Sequence, residues 1–471
     1  MLCVITNTCH LSAQTWCPPI RVSQYDTSTS WYYITDQGLT TDGSGTPWCG
    51  WDVDCYAGGW IHGILVSRYI DTVWSTPDTI NPFALFYGCN LATDANGNVW
   101  IVAEDYGISA CFYNGSSWSE LMQIPTQGTC SHYPAATGDS LGNLWVCWAG
   151  GGPGDGHHIW GNTYTMGQWG SAVLISYPGS HEDIAYSMTA DKQGRVWIGW
   201  HRFSCPDPGI CVSFNDGSGW SDTIIIAEYT YSSSGPALTV DTAGRVWAGW
   251  VGADSGGPYK LYSSYHDGNV WLEPMLVSES ATWGDYSVAI TSDDAGNVWL
   301  TWVNYDEDIY YSYWNGDNWS NPAPIAIYPT LDCVVKMAFD GERIWVTWIR
   351  EIDSDRWATY ASYTYGVGVE EKPAADSPQP VVQLSQNFPN PFSSKASIFY
   401  RLQSDCRISL RLYDTAGRHV RTLVNGIQKP GHHIVNWNGK DNEGKQLPVG
   451  IYFLRLETSN QSITKKIVKL E

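Results

Sequence analysis

The chain has 471 residues, a net charge of −22, only 15% charged residues, and 27 Trp and 47 Gly. A hydrophobic share of 43% excludes a disordered chain, and the acidic balance excludes nucleic acid as the main partner, since phosphate binding needs a basic face. No run of 18 apolar residues exists, so no transmembrane segment is expected, and abundant Gly, Trp, Tyr and Thr in short apolar runs indicate an all-β protein.

Residues 1–14 lack a positive start and a full apolar stretch, but Leu11-Ser12-Ala13-Gln14 has the look of the close of a secretory signal, so a truncated signal peptide is expected there. From residue 15 to 367 one phrase recurs: Asp, two residues, Gly, two residues, Trp, usually with a second Trp three places on. It occurs as Asp42-Gly45-Trp48-Trp51, Asp94-Gly97-Trp100, Asp139-Gly142-Trp145-Trp148 and Asp191-Gly194-Trp197-Trp200. It continues as Asp241-Gly244-Trp247-Trp250, Asp293-Gly296-Trp299-Trp302 and a copy one residue shorter, Asp340-Gly341-Trp345-Trp348. The copies lie about 50 residues apart. Asp caps a turn by accepting backbone N–H groups, Gly supplies positive φ, and the Val-Trp-Ile type run is the returning strand of a hairpin.

A second phrase follows each first one: an aromatic strand, a turn, then Trp, as in Tyr69 to Trp74, Phe214 to Trp220 and Tyr313 to Trp319. The seventh repeat has the aromatic strand but no such Trp. The missing piece sits at the start of the chain, as Trp16-Cys17-Pro18-Pro19. The expected architecture is therefore a seven-bladed β-propeller over 15–367, closed by the N-terminal strand. Repeat Trp residues are assigned to packing between blades.

The phrases resemble the Asp-box propellers of the sialidase-like group and the propeller repeats of two-component sensors. Ser213-Phe214-Asn215-Asp216-Gly217-Ser218-Gly219-Trp220 looks like a degenerate Asp box, and Asp191 to Trp200 looks like the sensor repeat. The resemblance implies the fold rather than an activity. Sialidases use three arginines on the sialate carboxylate, with a Tyr–Glu nucleophile pair and an acid Asp. Here Arg195, Arg245 and Arg343 fall in the Asp turns, opposite the usual site, and only Arg202, Arg350 and Arg356 fall on the loop face, so no triad is assigned.

The loops at the other end of the blades form the expected binding face. Trp31, Trp60, Trp283 and Trp357 fall in or beside these loops and would offer sugar platforms, with Arg202, Arg350 and Arg356 as polar contacts. His132, His157, His158, His181 and His201, with Glu182 and Asp183, gather in loops of the third and fourth blades. His132, His181, His201 and Glu182 are the acid–base candidates, although their spacing matches no metal motif. Acids also recur: Asp52, Asp54, Glu104, Asp105, Asp254, Asp306, Glu307, Asp308, Asp353 and Asp355. No metal or other cofactor is required by the pattern; calcium is the ion such oxygen-rich loops would take. Thirteen Cys include the pairs Cys49/Cys55 and Cys205/Cys211, spaced as loop-stapling disulfides.

Residues 368–381 form a Pro-rich, charged linker, and the charge balance changes across it: 12 Lys/Arg against 41 Asp/Glu in residues 1–380, 13 against 6 in 381–471. Alternating strands separated by Gly-rich turns over 382–471 indicate an Ig-like β-sandwich. Asn387-Phe388-Pro389-Asn390-Pro391-Phe392, Leu412-Tyr413-Asp414-Thr415-Ala416-Gly417-Arg418, Leu447-Pro448-Val449-Gly450-Ile451-Tyr452-Phe453 and the closing Lys465-Lys466-Ile467-Val468-Lys469 resemble the type A C-terminal sorting domain of type IX secretion cargo. They also overlap the Ig-like domain of flagellar hook-capping proteins. The resemblance implies export by a Gram-negative bacterium, with the secretion apparatus as a partner and a secreted or surface location. The functional expectation is non-enzymatic binding of an extracellular glycan. The alternatives are a glycoside hydrolase or polysaccharide lyase using the His-rich loops, and a structural or adhesion module with a surface-protein partner.

Overall fold

The structure is a computed structural model. It describes residues 16–365 and 382–470 except 24–30, 57–59, 81–86, 105–106, 128–130, 152–155, 177–181, 204–207, 229–232, 254–256, 282–287, 305, 329, 354–355, 385–391, 393–394, 403–404, 416, 430 and 459–461. All regular structure among the described residues is β, and no helix there is long and apolar enough to cross a membrane. The chain divides into two compact units, Met1–Glu371 and Lys372–Glu471.

In the first unit each of the repeats around Asp94, Asp139, Asp191, Asp241 and Asp293 builds its own antiparallel sheet. In the Asp191 repeat the order is Asp183–Ala190, Val196–Arg202, Gly209–Asn215 and Ile224–Glu228. The Asp42 and Asp340 repeats share a larger sheet, joined by a parallel pairing of Tyr32 with Arg356. Ile20–Arg21 pairs antiparallel with Arg356–Tyr365, Ile20 opposite Ala361, so the start of the chain adds a strand to its last repeat.

Second strands such as Val196–Arg202, Val246–Gly252 and Val298–Val303 are buried at every position. That explains their continuous apolar runs, since both faces of the sheet are covered. The Gly in the Trp-x-Gly-Trp copies receives a side chain from the next sheet. A Cβ on Gly249 would lie 2.4 Å from Leu300 Cδ2, and one on Gly50 2.8 Å from Leu91 Cδ1.

The Asp turns are built alike. In the Asp191 turn one carboxylate oxygen accepts the N–H groups of Gln193 and Arg195, and the other accepts Trp197 Nε1 at 2.8 Å. The Asp-to-Trp bond recurs at Asp42, Asp94, Asp139, Asp241, Asp293 and Asp340, between 2.7 and 2.9 Å. Gly45, Gly97, Gly142, Gly194, Gly244 and Gly296 have φ between 81° and 87°, the left-handed region that favours Gly. Arg195, Arg245 and Arg343 add an Nε bond to the same carboxylate and lie over the aromatic rings beside it, where Asn98, Asn143 and Asn297 bond the carboxylate through Nδ2 in other turns.

Each turn Trp then meets an outer Trp edge-on. Trp118 packs on Trp48, Trp169 on Trp100, Trp220 on Trp145, Trp271 on Trp197 and Trp319 on Trp247. Trp16 packs on Trp299 and Trp74 on Trp345, with centroids 6.4 and 5.7 Å apart. Such pairs contribute about 0.5–1.5 kcal/mol each beyond area burial.

First strands pack side by side in chain order: Gln37–Thr41 on Tyr87–Thr93, then Ser131–Gly138, Asp183–Ala190, Ser233–Val240, Val288–Ser292 and Asp332–Phe339, which returns to Gln37–Thr41. They line a cavity of about 180 Å³ through Leu39, Leu91, Ala135, Met188, Leu238, Ile290 and Met337.

Two cysteine expectations are corrected. Cys49 and Cys211 are free, buried thiols. Cys49 and Cys55 both lie in the strand Pro47–Tyr56, where six residues of extended chain span about 20 Å, far beyond disulfide reach. Cys211 packs with Ala135, Cys147 and Ile159, inside the apolar layer and away from a loop. Cys205, the signal-peptide reading of 1–14 and the linker reading of 368–381 lie outside the described residues.

In the second unit Val382–Leu384, Ala396–Leu402 and Gly431–Trp437 form one sheet, and His419–Gln428, Cys406–Tyr413, Gly450–Glu457 and Ser462–Lys469 another. Ile398, Tyr400, Leu410, Leu412, Leu454 and Ile467 share a core with the fully buried Trp437. Trp437 donates Nε1 to the Lys440 carbonyl at 2.9 Å.

Candidate functional site

The strand ends opposite the Asp turns carry the charged and imidazole side chains. Their positions follow from a recurring irregularity: the first strands break register just after their start, between Tyr87/Cys89, His132/Ala135, Ala185/Ser187, Ser234/Ala237 and Cys333/Lys336. Such bulges re-aim the side chains that precede them. Tyr133 sits in the bulge of the Asp139 repeat with φ 54°.

His132 lies immediately before that bulge, and Glu104 ends the second strand of the preceding repeat. Their Nδ1 and Oε1 atoms are 2.6 Å apart. His157 opens the third strand of the same repeat and pairs with Glu182 across a parallel bridge, Nδ1 to Oε2 at 2.7 Å. The two imidazole centroids are 6.3 Å apart, at 62°. Three consecutive repeats thus bring two imidazole–carboxylate pairs side by side. Burial pushes the Glu104 carboxyl up, opposed by His132 and the Tyr133 N–H. A carboxylate only accepts, so each neutral ring carries its proton on Nδ1 and its lone pair on Nε2.

The other expected site residues that the structure describes pack on or bond to groups of the protein. His201 is buried, with its ring 3.8 Å from Phe203, and burial lowers it to about 4, so it stays neutral. Arg202 is buried and holds Asp183 through Nε and Nη2, at 2.9 and 3.2 Å. Arg350 and Asp332 repeat this pair at the same strand position, both bonds at 2.6 Å, and the Arg350 guanidinium lies 3.9 Å from the Tyr328 ring centroid. Arg356 pairs with Asp353. Trp357 is half-buried against the core and meets Tyr33 at 5.8 Å. The backbones of Trp31 and Trp60 lie in strands, Trp31 opposite Tyr56 and Tyr56 opposite Trp60, while their side chains are outside the described residues, as are Trp283 and His181.

The structure therefore gathers His132, His157 and Glu182, and adds Glu104, a residue the spacing had placed only among scattered acids. Of the acids offered as calcium ligands, Asp52 accepts from Thr35 and Asp36, Asp54 faces His62, and Asp308 accepts the Tyr328 N–H, while Asp105, Asp254 and Asp355 lie outside the described residues. Burial raises Asp52 to about 7. Among the described residues no three His, Cys, Asp or Glu side chains converge on one point as a metal cage.

Residues 393–462 match the FlgD Ig-like domain. No curated protein matches the chain. Among solved structures, the chain is similar to PorZ, a bacterial surface component of the type IX secretion system of Porphyromonas gingivalis, at 15% identity and TM-score 0.46, covering 92% of this chain and 59% of that one. It thus spans less than two thirds of PorZ. The polysaccharide lyase Uly1 is similar at 10% identity and TM-score 0.50, over 73% of this chain and 94% of that one. An ulvan lyase bound to -[GlcA(1-4)Rha3S]- is similar at 13% identity and TM-score 0.48, over 72% and 96%. The Uly1 likeness is one of fold. An all-β first unit of repeated sheets and an Ig-like second unit define the class.

Proposed function

We propose that the chain is a seven-bladed propeller closed by its N-terminal strand, exported by type IX secretion through its Ig-like unit, and that it binds an extracellular glycan at the strand ends opposite the Asp turns. The propeller reading is supported by the return of Asp332–Phe339 to Gln37–Thr41 and by Trp74 packing on Trp345. The export reading is supported by the sorting-domain motifs and by the Ig-like match at 393–462. The binding reading rests on one observation, the paired His132–Glu104 and His157–Glu182 side chains. They form a row of accessible hydrogen-bonding groups whose directions are fixed before a ligand arrives, which lowers the entropy cost of holding sugar hydroxyls. Trp357 and Arg356, both half-buried in the last repeat, would be further contacts.

The test is a polysaccharide array probed with the full chain, with and without calcium. Selective binding that falls at least tenfold in His157→Ala and Glu182→Ala supports the reading. Absence of binding under both conditions overturns it and favours a protein partner. A second reading, cleavage of the bound glycan, draws on the same pairs, because a carboxylate-held imidazole is a competent general base. Release of reducing ends or of unsaturated products, abolished by His132→Ala, would establish it.

A further inference from the structure

We infer that His132 and His157 form an open, two-histidine site for a divalent transition-metal ion of the zinc, nickel or copper type. This goes beyond glycan binding and does not depend on it. Each ring gives Nδ1 to a carboxylate, Glu104 at 2.6 Å and Glu182 at 2.7 Å. That is the arrangement in which a second group fixes the tautomer and ring orientation of a metal-bound histidine and raises its basicity. It leaves Nε2 of each ring as the ligand atom, without loss of a proton.

The separation suits one shared ion. Two imidazoles bound through Nε2 at about 2.1 Å can hold their centroids up to roughly 6.4 Å apart, and these lie 6.3 Å apart. A bent, tetrahedral arrangement needs the rings to close by about 1 Å. Both rings are reachable: the side chains of His132 and His157 are 41% and 42% exposed. Imidazole donors select zinc, copper and nickel over calcium or magnesium. With two protein ligands, the remaining positions are open to water or to an oxygen of a ligand. Among the described residues His62 also pairs with a carboxylate, its Nδ1 lying 2.8 Å from Asp54, and it serves as the internal control.

The experiment is calorimetric titration of the full chain with ZnCl2 alone, without glycan. One equivalent is expected to bind, at least tenfold more weakly in His132→Ala and in His157→Ala, roughly tenfold more weakly in Glu104→Gln, and unchanged in His62→Ala. In the unsubstituted protein Zn2+ is expected to protect His132 and His157 from diethyl pyrocarbonate and to leave His62 reactive. This second measurement stands even where a variant folds poorly. No binding up to millimolar ZnCl2, binding that survives both His substitutions, or protection absent at His132 and His157 would overturn the inference. Zinc binding without any glycan binding would leave it intact and refute only the glycan reading.

Discussion

Cys17 and Tyr363 exchange two hydrogen bonds: the Cys17 N–H donates to the Tyr363 carbonyl at 2.8 Å, and the Tyr363 N–H donates to Cys17 Sγ at 3.1 Å. Ser320 and Tyr313 make the same exchange through Ser320 Oγ, as do Ser221 and Phe214. Cys17 therefore fills, in the last repeat, a place that serine fills elsewhere. Cys17→Ser is expected to change stability by less than about 0.5 kcal/mol. Trp16→Ala, which removes the edge contact with Trp299, is expected to cost about 2 kcal/mol or more. Thermal or urea unfolding of the two variants checks the contrast; equal losses would refute the equivalence.

The Asp turns allow a sharper comparison. Asp191→Ala strips Trp197 Nε1 and Arg195 Nε of their acceptor and is expected to destabilise by about 2–4 kcal/mol. Arg195→Asn should cost no more than about 1 kcal/mol, the value of its place over Trp197, because Asn occupies that position in the Asp94, Asp139 and Asp293 turns. Denaturant midpoints of the pair decide it.

Gly249 and Leu300 form a fitted contact between successive repeats. Gly249→Ala puts a methyl group where Leu300 Cδ2 lies 2.4 Å away, and overpacking of this kind costs about 1–3 kcal/mol. Adding Leu300→Val should recover part of the loss, so the double variant is expected to fall short of the sum of the singles by about 1 kcal/mol in unfolding measurements.

His201 makes stability depend on pH. Burial lowers its pKa from 6.5 to about 4, so between these values the unfolded chain binds the extra proton. Its contribution is whole above pH 6.5 and is lost as pH falls towards 4, on the order of 3 kcal/mol. His201→Gln should flatten the stability profile across that window. An unchanged profile, followed by urea unfolding at several pH values, would refute the assignment.

The Asp turns and the strands they join were legible because the signal is local: a capping Asp, a Gly at positive φ and a strand beginning two residues later. The bond from Trp Nε1 to Asp was written in the same six-residue spacing, but a period alone does not reveal which way an indole points. Glu104 and His132 come from different repeats, and their meeting depends on how adjacent sheets pack and on the bulge at Tyr133, which no spacing records. The Cys49/Cys55 expectation failed because a short spacing was taken for a loop, whereas Pro47–Tyr56 is one extended strand. Trp357, expected as an open platform, lies half-buried against Tyr33, the usual fate of a large apolar ring with a neighbour in reach.

The bond between Ser362 and the Cys17 carbonyl joins residues 345 positions apart. Until the chain beyond Tyr363 has been synthesised, the segment from Trp16 to Arg21 has no strand to pair with, and the hydrophobic faces of the last repeat remain open. The first unit is therefore finished only when its two ends meet.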